Sequence, residues 1–165
     1  MIVVVMGVSG SGKTTLGRLL AKRLGFTFVD ADDHHPAENV AKMASGVPLE
    51  DADRWPWLER LNVLLHTHAA GGRPVVLACS VLRQVYRARL CAGIDDFRLV
   101  YLKGSIEQLR ARLAERRHRY MPASLLASQF AALEPPVDAI TVDVAEPPER
   151  CLETALAALG APQKT

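Results

Sequence analysis

The sequence predicts an α/β fold in which about five parallel strands form one sheet with helices on both faces, within a single domain over residues 1–165. Three observations carry that prediction. An apolar run at residues 2–6 breaks directly into the glycine-rich stretch GVSGSGKTT. Beyond it, apolar runs of strand length alternate with segments of helical periodicity, as in a parallel sheet whose strands are joined by helices. A chain of 165 residues also suits one domain, which buries roughly 70% of its unfolded surface in a single core.

The elements follow in order. Residues 2–6 (IVVVM) show no polar alternation and read as a strand covered on both sides. Gly7, Gly12, Lys13 and Thr14 then satisfy GxxxxGK[ST], the phosphate-binding loop. Its glycines admit backbone conformations closed to other residues, so successive amides can turn inward around a phosphate. Lys13 is placed to reach the β and γ phosphates, and the Thr14 hydroxyl to ligate Mg²⁺. Gly7, Val8, Ser9, Gly10, Ser11, Gly12, Lys13, Thr14 and Thr15 are therefore the candidate nucleotide-binding residues.

A helix is expected over 14–24, with Leu16, Leu19, Leu20 and Leu24 on one face and Gly25 as its stop. Residues 27–30 read as a short strand ending in Asp30, Asp32 and Asp33, followed by His34 and His35. Acidic groups at a strand end of an α/β sheet stand where ligands bind, although the same carboxylates also suit capping of the next turn. Residues 37–45 read as a short helix, and Asp51 and Asp53 open another with Pro56 in its first turn. Leu58, Leu61, Leu64 and Leu65 supply the buried face of that second helix, so residues 36–70 form a helix pair. Trp55 and Trp57 are read as filling the seam beneath it.

Residues 74–79 (PVVLAC) are a continuous apolar strand, 80–92 a helix with Arg83, Arg87 and Arg89, and 98–102 the next strand. A helix over 105–117 carries Leu109 and Leu113 inward and runs into a basic segment, with five arginines from Arg110 to Arg119. Residues 122–133 are helical, 139–144 a last strand, and 149–159 a closing helix.

Composition narrows the function. A net charge of +2 gives no general attraction to nucleic acid or to an anionic membrane, so neither is an expected partner. The five-residue apolar start is not a signal peptide, and no run reaches membrane-spanning length. Cys79, Cys91 and Cys151 lack metal or disulfide spacing and read as reduced packing residues of a cytoplasmic protein. His34 and His35 are adjacent and cannot chelate one metal as an i, i+4 pair would. A regulatory GTPase would carry DxxG and NKxD, but no glycine has Asp three residues earlier, and Asn39 and Asn62 both precede Val. The acidic cluster together with the late arginines suits phosphoryl transfer to a small molecule instead.

Four blocks then carry a specific likeness. DADDHHPAENVAKMASGVPLEDADRWPWL, CSVLRQVYR, YLKG and MPASLLASQFAALEPP occur in that order after the phosphate loop. The chain thereby resembles the bacterial gluconokinase family, small P-loop kinases similar to shikimate and adenylate kinases, over nearly its whole length. The resemblance implies a P-loop kinase fold with an arginine-rich lid at 116–122, ATP and Mg²⁺ as cofactors, and gluconate as substrate, phosphorylated at its primary hydroxyl. It leaves room for a homodimer. It places Asp30 near Mg²⁺ through water and makes Asp32 the acceptor of the hydroxyl proton. It makes His35, Lys42, Arg54 and Arg83 candidates for gripping the sugar acid, and Arg116 and Arg119 candidates for closing over the phosphates beside Lys13. Arg119 stands where relatives carry histidine. A related kinase of shikimate or of a nucleoside monophosphate, and a non-catalytic nucleotide-binding protein, are the alternatives.

Overall fold

A computed structural model of the protein describes residues 1–115 and 123–160. In chain order its elements are β1 (Ile2–Met6), α1 (Lys13–Leu24), β2 (Thr27–Asp30), a 3-10 turn (Ala31–His34), α2 (Ala37–Ala44), α3 (Asp51–Ala70), β3 (Val75–Ala78), α4 (Gln84–Leu90), β4 (Phe97–Lys103), α5 (Ile106–Glu115), α6 (Ala123–Ala132), β5 (Ile140–Asp143) and α7 (Pro148–Ala158). The strands form one parallel sheet in the order β2-β3-β1-β4-β5, with Val4 level with Leu77 on one side and Leu99 on the other.

The uninterrupted apolar run of β1 follows from its central place. Successive side chains of a strand point to opposite faces. Val3 and Val5 enter one core with Leu16, Leu20, Leu152 and Leu156, while Ile2, Val4 and Met6 enter the other with Leu58, Leu61 and Leu65. Each such fully buried side chain contributes about 1.5–3 kcal/mol, so no position on β1 is left for a polar residue. Strand order reverses across β1, because its first connection leads outward to β2 and its later ones to β4 and β5 on the other side. In such sheets the crevice at the carboxyl ends of the strands is where ligands bind.

Two boundaries differ instructively from the sequence reading. The helix expected over 80–92 begins only at Gln84. Residues 80–83 are a loop in which Val81 adopts φ 30°, and the Val81 and Leu82 carbonyls accept from the Arg87 guanidinium at 3.1 and 3.0 Å. Leu82 O also accepts from the Glu134 amide at 2.9 Å, and the Glu134 carboxylate caps the Gln84 amide at 2.7 Å. These long-range bonds replace the first helical turn that local propensity favours. At the other boundary, α5 starts with Ser105 and Gln108 capping each other's amides, at 3.2 and 2.8 Å. The expected lid at 116–122, with Arg116 and Arg119, lies outside the described residues.

Candidate functional site

The loop after β1 is shaped to surround an anion. Gly10 and Gly12 take φ 80° and 97°, values that only glycine adopts freely. Gly12 precedes α1 without any side-chain cap, so the first amides of that helix are available to a ligand, at the end where its dipole favours negative charge. Lys13 folds back along the loop, its ammonium donating to Val8 O at 3.1 Å. Enclosure lowers the Lys13 pKa, and the nearby carboxylates Asp32 and Asp30 offset only part of that effect. A phosphate would supply the counter-charge that the enclosed ammonium lacks.

Across from the loop, Thr14 Oγ1 donates to Asp30 Oδ2 at 2.9 Å. Asp30 Oδ1 accepts from the Asp32 amide at 3.1 Å, so this carboxylate both caps the 3-10 turn and faces the phosphate loop. Among the described residues no three His, Cys, Asp or Glu side chains cluster as a metal cage. Two hard oxygen donors 2.9 Å apart nonetheless suit a cation such as Mg²⁺, which takes few protein ligands and completes its shell with phosphates and water.

Asp32 projects from the same turn with its side chain 69% exposed. His35 behind it is only 4% exposed at the side chain and stacks on Trp57, centroids 4.1 Å apart and planes within 15°. Burial lowers the His35 pKa against the opposing pull of Asp32. Asn39 Nδ2 donates to Asp53 O at 2.9 Å and has its second hydrogen for His35 Nδ1 at 3.3 Å. That contact suits a neutral ring that accepts at Nδ1 and carries its proton on Nε2, 3.9 Å from Asp32 Oδ1. Trp57 is fixed in turn by Nε1 donating to Ala31 O at 2.8 Å.

These groups line one cleft of about 1880 Å³. Single-ligand pockets run to roughly 300–1,000 Å³, so this space suits two reactants at once. The loop stands at one part of its wall and Arg54, Arg83 and Tyr86 at another. Lys42 stands apart from that wall. Its ammonium pairs with Asp53 Oδ2 at 2.7 Å, and the same oxygen accepts from the Glu50 amide at 2.7 Å. This ion pair ties α2 to the start of α3; it raises the Lys42 pKa and lowers that of Asp53.

On the other side of the loop a smaller cleft of about 320 Å³ is lined by Ser11, Leu102, Arg112, Val144 and Pro148. Ser11 Oγ is buried beside it and has no hydrogen-bond partner among the described residues. Arg112 donates to Val144 O and so holds this wall together.

Two contacts have no counterpart in the sequence reading. Gln129 of α6 grips the phosphate loop twice, its Oε1 accepting from the Ser9 amide at 2.7 Å and its Nε2 donating to Ser9 Oγ at 3.0 Å. Asp51 and Tyr86 bond to each other between Arg54 and Arg83. Gln129 sits within the block MPASLLASQFAALEPP and Tyr86 within CSVLRQVYR. The signal was therefore present, but a Gln on a helix and a Tyr near a core read locally as surface and packing. The cysteines are packing residues as expected, with Cys79 and Cys151 buried and burial pushing the Cys91 thiol up to about 11. Among the described residues no helix is long and apolar enough to cross a membrane.

Known proteins match this chain over most of its length. The family described as AAA domain matches residues 2–136. A probable gluconokinase of Xenopus tropicalis is 48% identical over 151 residues, covering 82% of this chain and 80% of the relative. The thermosensitive gluconokinase of Escherichia coli is 41% identical over 163 residues, covering 93% and 87%. The crystal structure of a gluconokinase from Sinorhizobium meliloti 1021 superposes with a TM-score of 0.87 at 42% identity, over 96% of this chain and 90% of that one.

Proposed function

This chain belongs to the gluconokinase family, and from that membership we propose that it transfers the γ-phosphoryl group of ATP to the primary hydroxyl of D-gluconate, giving 6-phospho-D-gluconate. The observation that supports it best is a single cleft lined by Lys13, Thr14, Asp30 and Asp32 together with two arginines against one tyrosine ring. The first four groups suit phosphoryl transfer, and the arginines suit a carboxylate.

Thr14 and Asp30 would hold Mg²⁺, which supplies charge neutralisation across the phosphates. Lys13 sets a fixed positive charge where the phosphates lie, and the amides around Gly10 and Gly12 orient them. Arg54 and Arg83 engage the carboxylate of the sugar acid, which leaves its other end, the primary alcohol, free to approach Asp32. Asp32 takes the hydroxyl proton as that oxygen bonds to the γ-phosphorus and the bond from phosphorus to the ADP oxygen breaks. His35, with Nε2 3.9 Å from Asp32 Oδ1, borders the space in which that carboxylate moves. Lys42 acts at a distance, by holding α2 against α3 through Asp53. In the smaller cleft, Leu102, Val144 and Pro148 offer apolar contact and Arg112 a guanidinium, which together suit the adenine ring. Arg116 and Arg119, by the family resemblance, close over the phosphates and exclude water.

A coupled assay of ADP release with gluconate, shikimate, AMP and CMP tests the reading. Turnover with gluconate alone is expected. Faster turnover with shikimate or a monophosphate would reassign the substrate, and nucleotide binding without turnover on any of them would reduce the protein to a non-catalytic binder.

A further inference from the structure

Arg54 and Arg83, which line the cleft, are built into a unit whose centre is not an arginine. Tyr86 contacts both, with the Arg54 guanidinium carbon 5.2 Å and the Arg83 guanidinium carbon 5.6 Å from its ring centroid. Arg54 donates to the phenol oxygen at 3.2 Å, and the phenol donates to Asp51 Oδ1. Asp51 also pairs with Arg54 at 3.4 Å and, through Oδ2, with Arg83 at 3.6 Å. Arg83 is steadied from behind by Glu134 at 3.5 Å, a carboxylate anchored on the Gln84 amide.

Burial divides the labour. Tyr86 is 6% exposed, whereas the side chains of Arg54 and Arg83 are 29% and 42% exposed. The phenol is thus the enclosed hub, and the guanidinium groups are the parts that a ligand in the cleft can touch. Two like charges held this close repel; the ring face and the Asp51 carboxylate offset that repulsion. Recognition of a planar carboxylate by two guanidinium groups depends on their spacing and orientation rather than on charge alone.

We propose that Tyr86 is a positioning residue that sets the spacing of Arg54 and Arg83, so that the pair selects a carboxylate over a neutral polyol end. This rests on the reading of gluconate as substrate. Trp55 packs edge-on against the ring at 5.7 Å, so the ring keeps its place without the hydroxyl. Asp51, 45% exposed, regains water when the phenol is removed, and Tyr86→Phe leaves no buried group unpaired.

The test is steady-state kinetics of wild type and Tyr86→Phe with gluconate and with sorbitol, its neutral polyol counterpart, alongside ATP saturation curves and thermal melts. The ratio of kcat/KM for gluconate over sorbitol should fall about tenfold in the variant, carried by a higher KM for gluconate. The KM for ATP should stay within twofold and the Tm within a few degrees. An undiminished acid-over-polyol ratio in Tyr86→Phe, or equal losses on both substrates, overturns the proposal. A wild-type enzyme that handles sorbitol as well as gluconate overturns the substrate reading and the proposal with it.

Discussion

Replacing Gln129 with leucine would separate the phosphate loop from α6 with little change in volume. Two hydrogen bonds are lost, at 2.7 and 3.0 Å, each contributing about 1 kcal/mol net. Ser9 is half-buried, so water recovers part of that, and a stability loss of about 1–2 kcal/mol results. For a domain of this size this corresponds to a Tm lowered by about 2–8 °C. The functional consequence is more specific. Ser9 lies inside the anion loop, so freeing it makes the amides that face the phosphates less ordered before ATP binds, and the KM for ATP should rise up to about tenfold while that for gluconate stays within twofold. Gln129→Glu separates the two effects, because it keeps an acceptor for the Ser9 amide but sets a negative charge near the phosphates. It should melt closer to wild type and still bind ATP poorly. Thermal melts and two-substrate kinetics on the three proteins decide the matter. Unchanged Tm and ATP affinity in Gln129→Leu would show that the contact does not hold the loop, and an equal rise in both KM values would trace the effect to general loosening.

The acidic turn after β2 answers to substitution and to pH. Asp32→Asn keeps the shape and removes the basicity, so kcat should fall by at least about a hundredfold with the KM for ATP nearly constant, and comparable kcat values would remove Asp32 from the proton transfer. His35, buried and with a lowered pKa, gives stability a defined pH dependence. As pH falls through the ordinary histidine value of about 6.5, the unfolded chain takes up a proton before the folded one does, so stability is lost there by up to about 1.4 kcal/mol per pH unit. Urea titrations at pH 7.5 and 5.5 should show that loss in wild type and a smaller one in His35→Gln, and identical pH slopes would refute the buried neutral ring.

What was legible in the sequence depends on the range of the forces involved. The anion loop was readable because its geometry is local, with Gly10 and Gly12 supplying the positive φ that the turn needs. β1 was readable because burial on both faces leaves only apolar residues, and the place of Asp30 because the short β-rich run before it ends there. The start of α4 was not, since valine avoids positive φ and nothing in SVLRQVYR marks Val81 as the residue that adopts it. The bonds that force it come from Glu134 and Arg87, and the first of these lies some fifty residues along the chain. Gln129 on Ser9 spans 120 residues, and no periodicity reports a contact of that range. Lys42 shows the complementary limit: the family resemblance offers it as a substrate contact, while the geometry commits its charge to Asp53.

In the proposed reaction this cleft passes phosphate from ATP to the primary alcohol of a sugar acid held by its carboxylate. Phosphorus NMR of a reaction containing the protein, MgATP and gluconate tests it most directly, because the new signal reports the carbon to which phosphate is attached. A single phosphomonoester resonance coupled to the two protons of a CH₂ group, growing in step with ADP, is the predicted result. A resonance coupled to one CH proton, or growth of inorganic phosphate alone, would contradict it.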